Sequence, residues 1–262
     1  MGDRLLRFGA FYGSVEAMHT VQPIILAAGK GTRFVGYDHP KVLAEFRGRP
    51  LLDYVLKAYE ATDFAQPIVV VGYKAEEVVD FVGRRATTVL QKELLGTANA
   101  VEAALPSIPR ECETVIVTYG DMPFITPATL ETLAHRHSDT RATITATTVT
   151  FDDPDFFSYG RIIRDSAGRF QKIVEQVMAT PEIRAIKESN VGLYAMDKKW
   201  LVEHIGQVKI NKKDEYYITD IIEIAVRNKV GVETITVADW HDALGINTPE
   251  QLKLAEEVIP NE

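Results

Sequence analysis

The run Ile24-Ile25-Leu26-Ala27-Ala28-Gly29-Lys30-Gly31-Thr32-Arg33 decides the fold. A short apolar stretch, read as a buried strand from Pro23 to Leu26, opens directly into small residues, two glycines and basic side chains. Glycine lets the backbone turn tightly and, having no Cβ, lets N–H groups close on a phosphate. Lys30, Arg33 and Lys41 add the positive charge that a triphosphate requires. Two familiar loops do not fit. A Walker A loop needs glycine five residues before the Gly29-Lys30 pair, where Ile24 stands. A dinucleotide fingerprint needs a third glycine where Phe34 stands. Taken alone, the loop reads equally well as a tight strand-to-helix turn with solvated charges.

Outward from this loop, short apolar runs alternate with segments of helical period. Strands are expected at Pro67–Val71, Thr87–Leu90, Thr114–Thr118, Thr143–Val149, Arg161–Arg164, Phe170–Val174, Val191–Met196 and Val232–Val237. Helices are expected at Leu51–Thr62, Ala75–Val82, Thr97–Leu105, Pro127–His137, Pro181–Lys187, Lys198–Ile205, Thr219–Arg227 and Thr248–Val258. Leu51, Tyr54, Val55 and Ala58 carry the spacing that buries one helical face. Strand-helix alternation through about residue 150 implies parallel strands with crossover helices, hence an α/β, doubly wound sheet. Such sheets bind ligands beyond the carboxyl ends of their strands. Residues 151–247 are richer in strands, with a hairpin turn at Asp165–Gly168, and suggest a smaller subdomain that covers substrate. Residues 248–258 close the chain as a helix. Met1 to Ala17 lack the apolar run of a signal peptide and read as an N-terminal extension, which leaves 18–262 as a single domain.

Composition narrows the function. The 262 residues are 46% apolar and 25% charged, ordinary for a globular chain, and long enough for a full core. The single cysteine, Cys112, excludes an intrachain disulfide and points to a reducing, cytoplasmic setting. No run approaches the ~20 apolar residues of a membrane span. With 29 basic against 37 acidic residues the net charge is −8, the wrong sign for a nucleic-acid binder. Anion binding would need a local basic patch on an acidic body.

Leu26 to Arg33, followed by Pro40-Lys41-Val42-Leu43, resembles the signature of the sugar-1-phosphate nucleotidyltransferases. The resemblance is closest to the uridylyltransferase half of the bifunctional N-acetylglucosamine-1-phosphate enzyme. It continues in order through Gln91 to Thr97, Tyr119-Gly120-Asp121-Met122-Pro123, Tyr159-Gly160-Arg161, Ile173-Val174-Glu175-Gln176, Asn190, Glu215 to Asp220, and Gly245-Ile246-Asn247. The resemblance implies a nucleotide-diphospho-sugar transferase fold, Rossmann-like, with a nucleotide half over about 18–150 and a sugar half over about 151–247. The implied reaction is attack of a sugar-1-phosphate oxygen on the α-phosphorus of a nucleoside triphosphate, with pyrophosphate leaving. The nucleophile is already an anion, so no general base is required. Positioning and charge neutralisation must carry the rate.

The resemblance implies a role for each matching position. Leu26, Ala27, Ala28 and Gly29 would bind the nucleotide through their backbone. Arg33 and Lys41 would be the catalytic clamps on the phosphates. Gln91, Gly96 and Thr97 would read the base, and Tyr119, Gly120, Gly160, Glu175 and Asn190 would contact the sugar. Asp121 follows the apolar run Val115-Ile116-Val117 and so sits at a strand's carboxyl end. With Asn247 it would hold Mg²⁺, which prefers a few oxygen ligands and keeps several waters. Each position also has a plainer reading. Asp121 reads as a turn residue, Asn247 as the residue before a helix cap, Gln91 as an exposed strand end and Thr219 as an N-cap.

Two departures fall in the sugar half. Val177-Met178 stands where the family has Lys-Asp, and Asn190-Val191-Gly192 where it has Asn-Thr-Gly. Glucose-1-phosphate as acceptor, dTTP as donor, or a non-catalytic nucleotide-sugar sensor therefore stay open as alternatives. Only 248–262 follow Asn247, so acetyl transfer is not carried over. Asp153-Pro154-Asp155 has the form of a glycosyltransferase metal pair or of an acidic loop. His241-Asp242 has the form of a catalytic pair without a nucleophile, and His135 with His137 makes a poor metal pair. The substrates would be small molecules, with no nucleic acid and no membrane; the oligomeric state is not legible.

Overall fold

The computed structural model describes residues 21–153, 155, 157, 159–211 and 213–260. The extension expected over 1–17 lies outside the described residues. In chain order the elements are β1 (Val21–Ala27), β2 (Glu45–Phe46), β3 (Arg49–Pro50), α1 (Leu51–Glu60), β4 (Ile68–Val71), α2 (Ala75–Val82), β5 (Thr87–Leu90), α3 (Thr97–Ala104), β6 (Thr114–Tyr119), α4 (Pro127–Thr140), β7 (Ile144–Thr150), β8 (Arg161–Arg164), β9 (Phe170–Val174), α5 (Pro181–Arg184), β10 (Glu188–Asp197), α6 (Lys198–His204), α7 (Thr219–Arg227), β11 (Val232–Thr236) and α8 (Pro249–Val258).

One sheet organises them, in the order β11-β7-β10-β6-β1-β4-β5. β1 runs parallel to β4 and β6, β4 to β5, and β7 to β11. β10 alone among these is antiparallel, to both β6 and β7. The β8–β9 hairpin hangs from β10 and turns at Asp165–Gly168, where the Gly168 N–H meets the Asp165 carbonyl at 2.9 Å. The mostly parallel α/β sheet is thus the one expected. β10 is longer than the expected Val191–Met196. A register shift between Asn190 and Tyr194, with Gly192 at φ +90°, hides its first half from the alternation pattern.

The strand pattern explains the double winding. Ile25, Val69 and Ile116 point to one face, where Leu52, Val55, Val78, Leu130 and Leu133 of α1, α2 and α4 bury them. Ile24, Val70 and Val117 point to the other, beneath Val101, Leu201, Ile221 and Ala225 of α3, α6 and α7. Each such side chain contributes about 1.5–3 kcal/mol by leaving water. A third small cluster brings α8 back to the glycine loop, through Phe34, Phe46, Leu51, Ile246 and Ala255. The Arg47 guanidinium closes the far end of α8, donating to the carbonyls of Ile259 at 2.7 Å and Pro260 at 2.8 Å. This return of α8 places Asn247 beside the first strand's loop.

Candidate active site

The loop after β1 leaves the sheet between its neighbours. Gly120 at the end of β6 donates its N–H to the Leu26 carbonyl at 2.9 Å, and Tyr73 after β4 donates to Ala28 at 2.9 Å. Ala27 and Ala28 are buried, whereas Gly29, Lys30 and Arg33 are exposed. Gly31 has φ +63°, and a Cβ there would lie 2.7 Å from that of Lys41. Glycine at this position is what lets Lys41 fold in beneath the loop.

Lys41 meets two oxygens, donating to Asp121 and, at 2.8 Å, to Asn247 Oδ1. Arg33 donates to the same Asn247 oxygen at 2.8 Å. The Ile246 N–H bonds the Asp121 carbonyl at 2.8 Å, and Gln251 accepts the Asn247 N–H at 2.7 Å. Thr248, not Asn247, caps α8 through Gln251 N at 3.2 Å. The Asn247 side chain is therefore spared for the site. Four residues distant in sequence thus meet at the carboxyl edge of the parallel strands, carrying two positive charges against one negative. No cluster of three His, Cys, Asp or Glu suited to a metal occurs among the described residues. The donor set here is different: one carboxylate and one amide oxygen converge on a single ammonium. That arrangement fits a hard cation that takes its remaining ligands from phosphate and water.

On one flank lies Gln91, which is buried, not the exposed strand end that its position after β5 allowed. Its amide nitrogen donates to the Gly96 carbonyl at 3.0 Å and to Asn99 Oδ1 at 2.8 Å. Gly96 is squeezed at φ +107° against the backbone of Tyr216. The Thr97 hydroxyl accepts the Ile218 N–H at 2.8 Å. The Glu215–Asp220 stretch therefore braces the Gln91–Thr97 loop, a contact that the sequence motif recorded without a reason.

On the other flank Gly160, Glu175 and Asn190 come together across β8, β9 and β10. A Cβ on Gly160 would lie 3.6 Å from the Glu175 carboxyl, and the Gly160 carbonyl accepts the Asn190 N–H at 2.8 Å. Tyr119 packs its ring on Gly192. Asn190 is turned onto Tyr194, donating to its hydroxyl at 2.7 Å. Gly120 is buried between Val42 and Leu52, with its N–H donated to the Leu26 carbonyl. Thr219 is the first residue of α7 and not its cap; its hydroxyl donates to Glu175 at 3.4 Å.

Burial pushes the Glu175 carboxyl above its ordinary range; Thr219 pulls it partly back and the repulsion of Asp220 adds to the rise. A carboxyl raised in the folded state costs nothing below its unfolded pKa. It carries its full cost once pH exceeds the folded value. Glu175→Gln is expected to raise Tm at pH 8, to lose that advantage near pH 4, and to weaken sugar-phosphate binding. A fall in Tm at pH 8 in thermal scans would contradict this.

The acidic and histidine motifs serve the fold. Asp155 pairs with the fully buried Arg161 at 3.0 Å and accepts from Gln176 at 3.3 Å, tying this acidic loop to β8 and the segment after β9. Pro154 lies outside the described residues. Asp242 accepts from Thr126 at 3.0 Å and from Thr129, tethering the start of α4. His241 instead bonds Asp239 at 2.6 Å, so His241 and Asp242 are not a catalytic pair. His137 is buried against the Thr145 hydroxyl at 3.0 Å.

The Arg33–Lys41–Asp121–Asn247 cluster thus sits on a mixed α/β sheet together with the braced Gln91–Thr97 loop and the Gly160–Glu175–Asn190 group. Residues 23–179 match the MobA-like NTP transferase domain, and the chain belongs to that family. It is 41% identical over 243 residues to the bifunctional protein GlmU of Heliobacterium modesticaldum, covering 92% of this chain and 52% of the relative. Against GlmU of Desulfotalea psychrophila it is 37% identical, covering 90% and 69%. The chain spans about half the length of the first of these relatives. Among solved structures, a Bacillus anthracis chain described as a glucose-1-phosphate thymidylyltransferase in complex with sucrose superposes with a TM-score of 0.72 at 18% identity, covering 92% of this chain and 97% of that one. UDP-glucose pyrophosphorylase complexed with UDP-glucose gives 0.69 at 18%, covering 90% and 97%. The similarity to GlmU-type proteins holds over about nine tenths of the chain, in keeping with the motif resemblance to the uridylyltransferase half of such proteins. Among the described residues no helix is long and apolar enough to cross a membrane.

Proposed function

We propose that this chain condenses UTP with N-acetylglucosamine-1-phosphate, giving a UDP-sugar and pyrophosphate, in the cytoplasm and with Mg²⁺. The convergence of Arg33, Lys41, Asp121 and Asn247 carries this reading. Arg33 and Lys41 neutralise the triphosphate and stabilise the charge that builds on the departing pyrophosphate. Asp121 and Asn247 would hold Mg²⁺, which when bound supplies charge neutralisation between the two polyanions. Lys41, now shared by both oxygens, is then free to face phosphate.

Gln91 supports a uracil-type base. Both its amide hydrogens are engaged, so its carbonyl is what remains for the base. Uracil and thymine offer a ring N–H there, whereas cytosine offers a lone pair. A buried mismatch costs on the order of 1–3 kcal/mol. The choice of N-acetylglucosamine rests on the motif resemblance, which assigns Glu175 and Asn190 to the sugar. Val177 and Met178, both exposed beside Glu175, mark where another sugar would be accommodated.

Pyrophosphate release should be fastest with Mg²⁺, UTP and N-acetylglucosamine-1-phosphate, and should fall when glucose-1-phosphate or dTTP is exchanged in. A faster exchanged pair would reassign the substrate. No release from any pair, in protein that still binds UDP-sugar, would replace the enzyme with a nucleotide-sugar sensor.

A further inference from the structure

We propose that Asn99 is the positioning residue that fixes how this protein reads its base, by holding the Gln91 amide with its carbonyl toward the nucleotide. The inference rests on the base-pocket reading above and goes beyond it to a residue that the motif comparison leaves unassigned.

A glutamine amide has two N–H donors and one carbonyl acceptor, and nothing in its shape favours either face. Gln91 is 5% exposed, so a wrongly turned amide here has no water to satisfy it. The Gly96 carbonyl is an acceptor only, which obliges the Gln91 nitrogen to face it, at 3.0 Å. That carbonyl is itself held by the first turn of α3, where it receives the Ala100 N–H at 3.1 Å. One hydrogen bond fixes which end is nitrogen, but leaves the amide free to swing about it. The second, to Asn99 Oδ1 at 2.8 Å, fixes the plane. Two donors and two fixed acceptors leave the Gln91 carbonyl as the group presented to a ligand.

Backbone geometry supplies the rigidity. The Gln91 N–H is tied to the Val71 carbonyl at 2.8 Å, which anchors the residue to β4. Asn99 sits in the first turn of α3, half-buried, and α3 packs through Ala98 and Val101 into the core. The Tyr216 backbone clamps both sides of Gly96, donating to Leu95 O at 2.7 Å and accepting from Ala98 N at 2.9 Å. Asn99 therefore offers its Oδ1 to the Gln91 nitrogen from a fixed helix. The consequence is discrimination: a presented carbonyl accepts from the ring N–H of uracil or thymine and repels the ring nitrogen lone pair of cytosine.

The test is titration calorimetry of UTP and CTP on the full chain, for wild type, Asn99→Ala, Asn99→Leu and Asn99→Asp, with Tm measured for each. Wild type should bind UTP at least 10-fold more tightly than CTP. Asn99→Ala and Asn99→Leu should weaken UTP by about 5- to 30-fold with much less change for CTP, so that the preference narrows. Asn99→Asp keeps an acceptor facing the Gln91 nitrogen and should restore the UTP preference. The proposal is overturned if wild type does not distinguish UTP from CTP, or if either substitution leaves UTP binding unchanged. Equal losses for both nucleotides, or no rescue by Asp, also overturn it, since either would assign Asn99 to the fold alone. Should Leu prevent folding, the Ala and Asp pair decides. Preference for UTP without pyrophosphate release from any sugar phosphate would remove the proposed reaction while leaving this inference standing.

Discussion

Asp121→Ala is expected to lower turnover by roughly 10²-fold or more, the scale seen when a single transition-state contact is removed. Among the described residues Asp121 is the one carboxylate bonded into the Arg33–Lys41–Asn247 cluster, and both it and Lys41 are largely shielded from solvent. Its loss leaves two cations around one amide oxygen. Lys41 then loses its carboxylate partner, and a divalent cation held as proposed would lose its charged protein ligand. Asp121→Asn keeps the size and an acceptor oxygen, so a similar loss in that variant would attribute the effect to charge and not to shape. Lys41→Ala should lose a comparable factor, because it strips the positive charge that the proposed reaction needs beside the phosphates. Steady-state pyrophosphate release in variants with wild-type far-UV circular dichroism is the measurement. Near-normal turnover in both Asp121→Ala and Lys41→Ala would sink the site.

Gly96→Ala is expected to cost about 2–4 kcal/mol of stability and to weaken UTP binding together with it. The residue sits at φ +107°, a backbone region that a Cβ disfavours. The added carbon would also lie 2.6 Å from the Tyr216 carbonyl oxygen and 2.8 Å from its nitrogen. Neither atom can move freely, since both are committed in hydrogen bonds to Ala98 and Leu95. Relief must come from parting the two loops, which also disturbs the Gly96 carbonyl that holds Gln91. For a chain of this size the cost corresponds to a Tm drop of roughly 5–15 °C. Gly29→Ala is the contrasting substitution, because a Cβ there meets nothing within 4 Å and no positive φ is required. Equal melting temperatures for Gly96→Ala and wild type would contradict the packing described here.

The alternation of apolar runs was enough to place the parallel strands, since β1, β4 and β6 are buried on both faces and read as continuous apolar stretches. The Asp165–Gly168 turn was legible for a local reason, a glycine at positive φ with an aspartate collecting its neighbours' N–H groups. β10 was half hidden because Ser189, Asn190 and Gly192 are buried by the sheet and not by their own polarity. The site divides the same way. Arg33, Lys41, Asp121 and Asn247 announce their chemistry as residue types in short motifs. The roles of Asn99, Thr219 and Tyr216 arise from hydrogen bonds across elements far apart in the chain, which no local pattern encodes. The packing of Gly120 on Val42 and Leu52 is hidden for the same reason, since both neighbours are tertiary ones.

The central claim is uridylyl transfer from a nucleoside triphosphate to a sugar phosphate, and phosphorus-31 NMR observes it most directly. Enzyme, Mg²⁺, UTP and N-acetylglucosamine-1-phosphate should lose the sugar-monophosphate resonance while UDP-sugar diphosphate doublets and a pyrophosphate singlet grow in equal amounts. Unchanged sugar phosphate, with UTP intact or broken down to orthophosphate, would contradict the account.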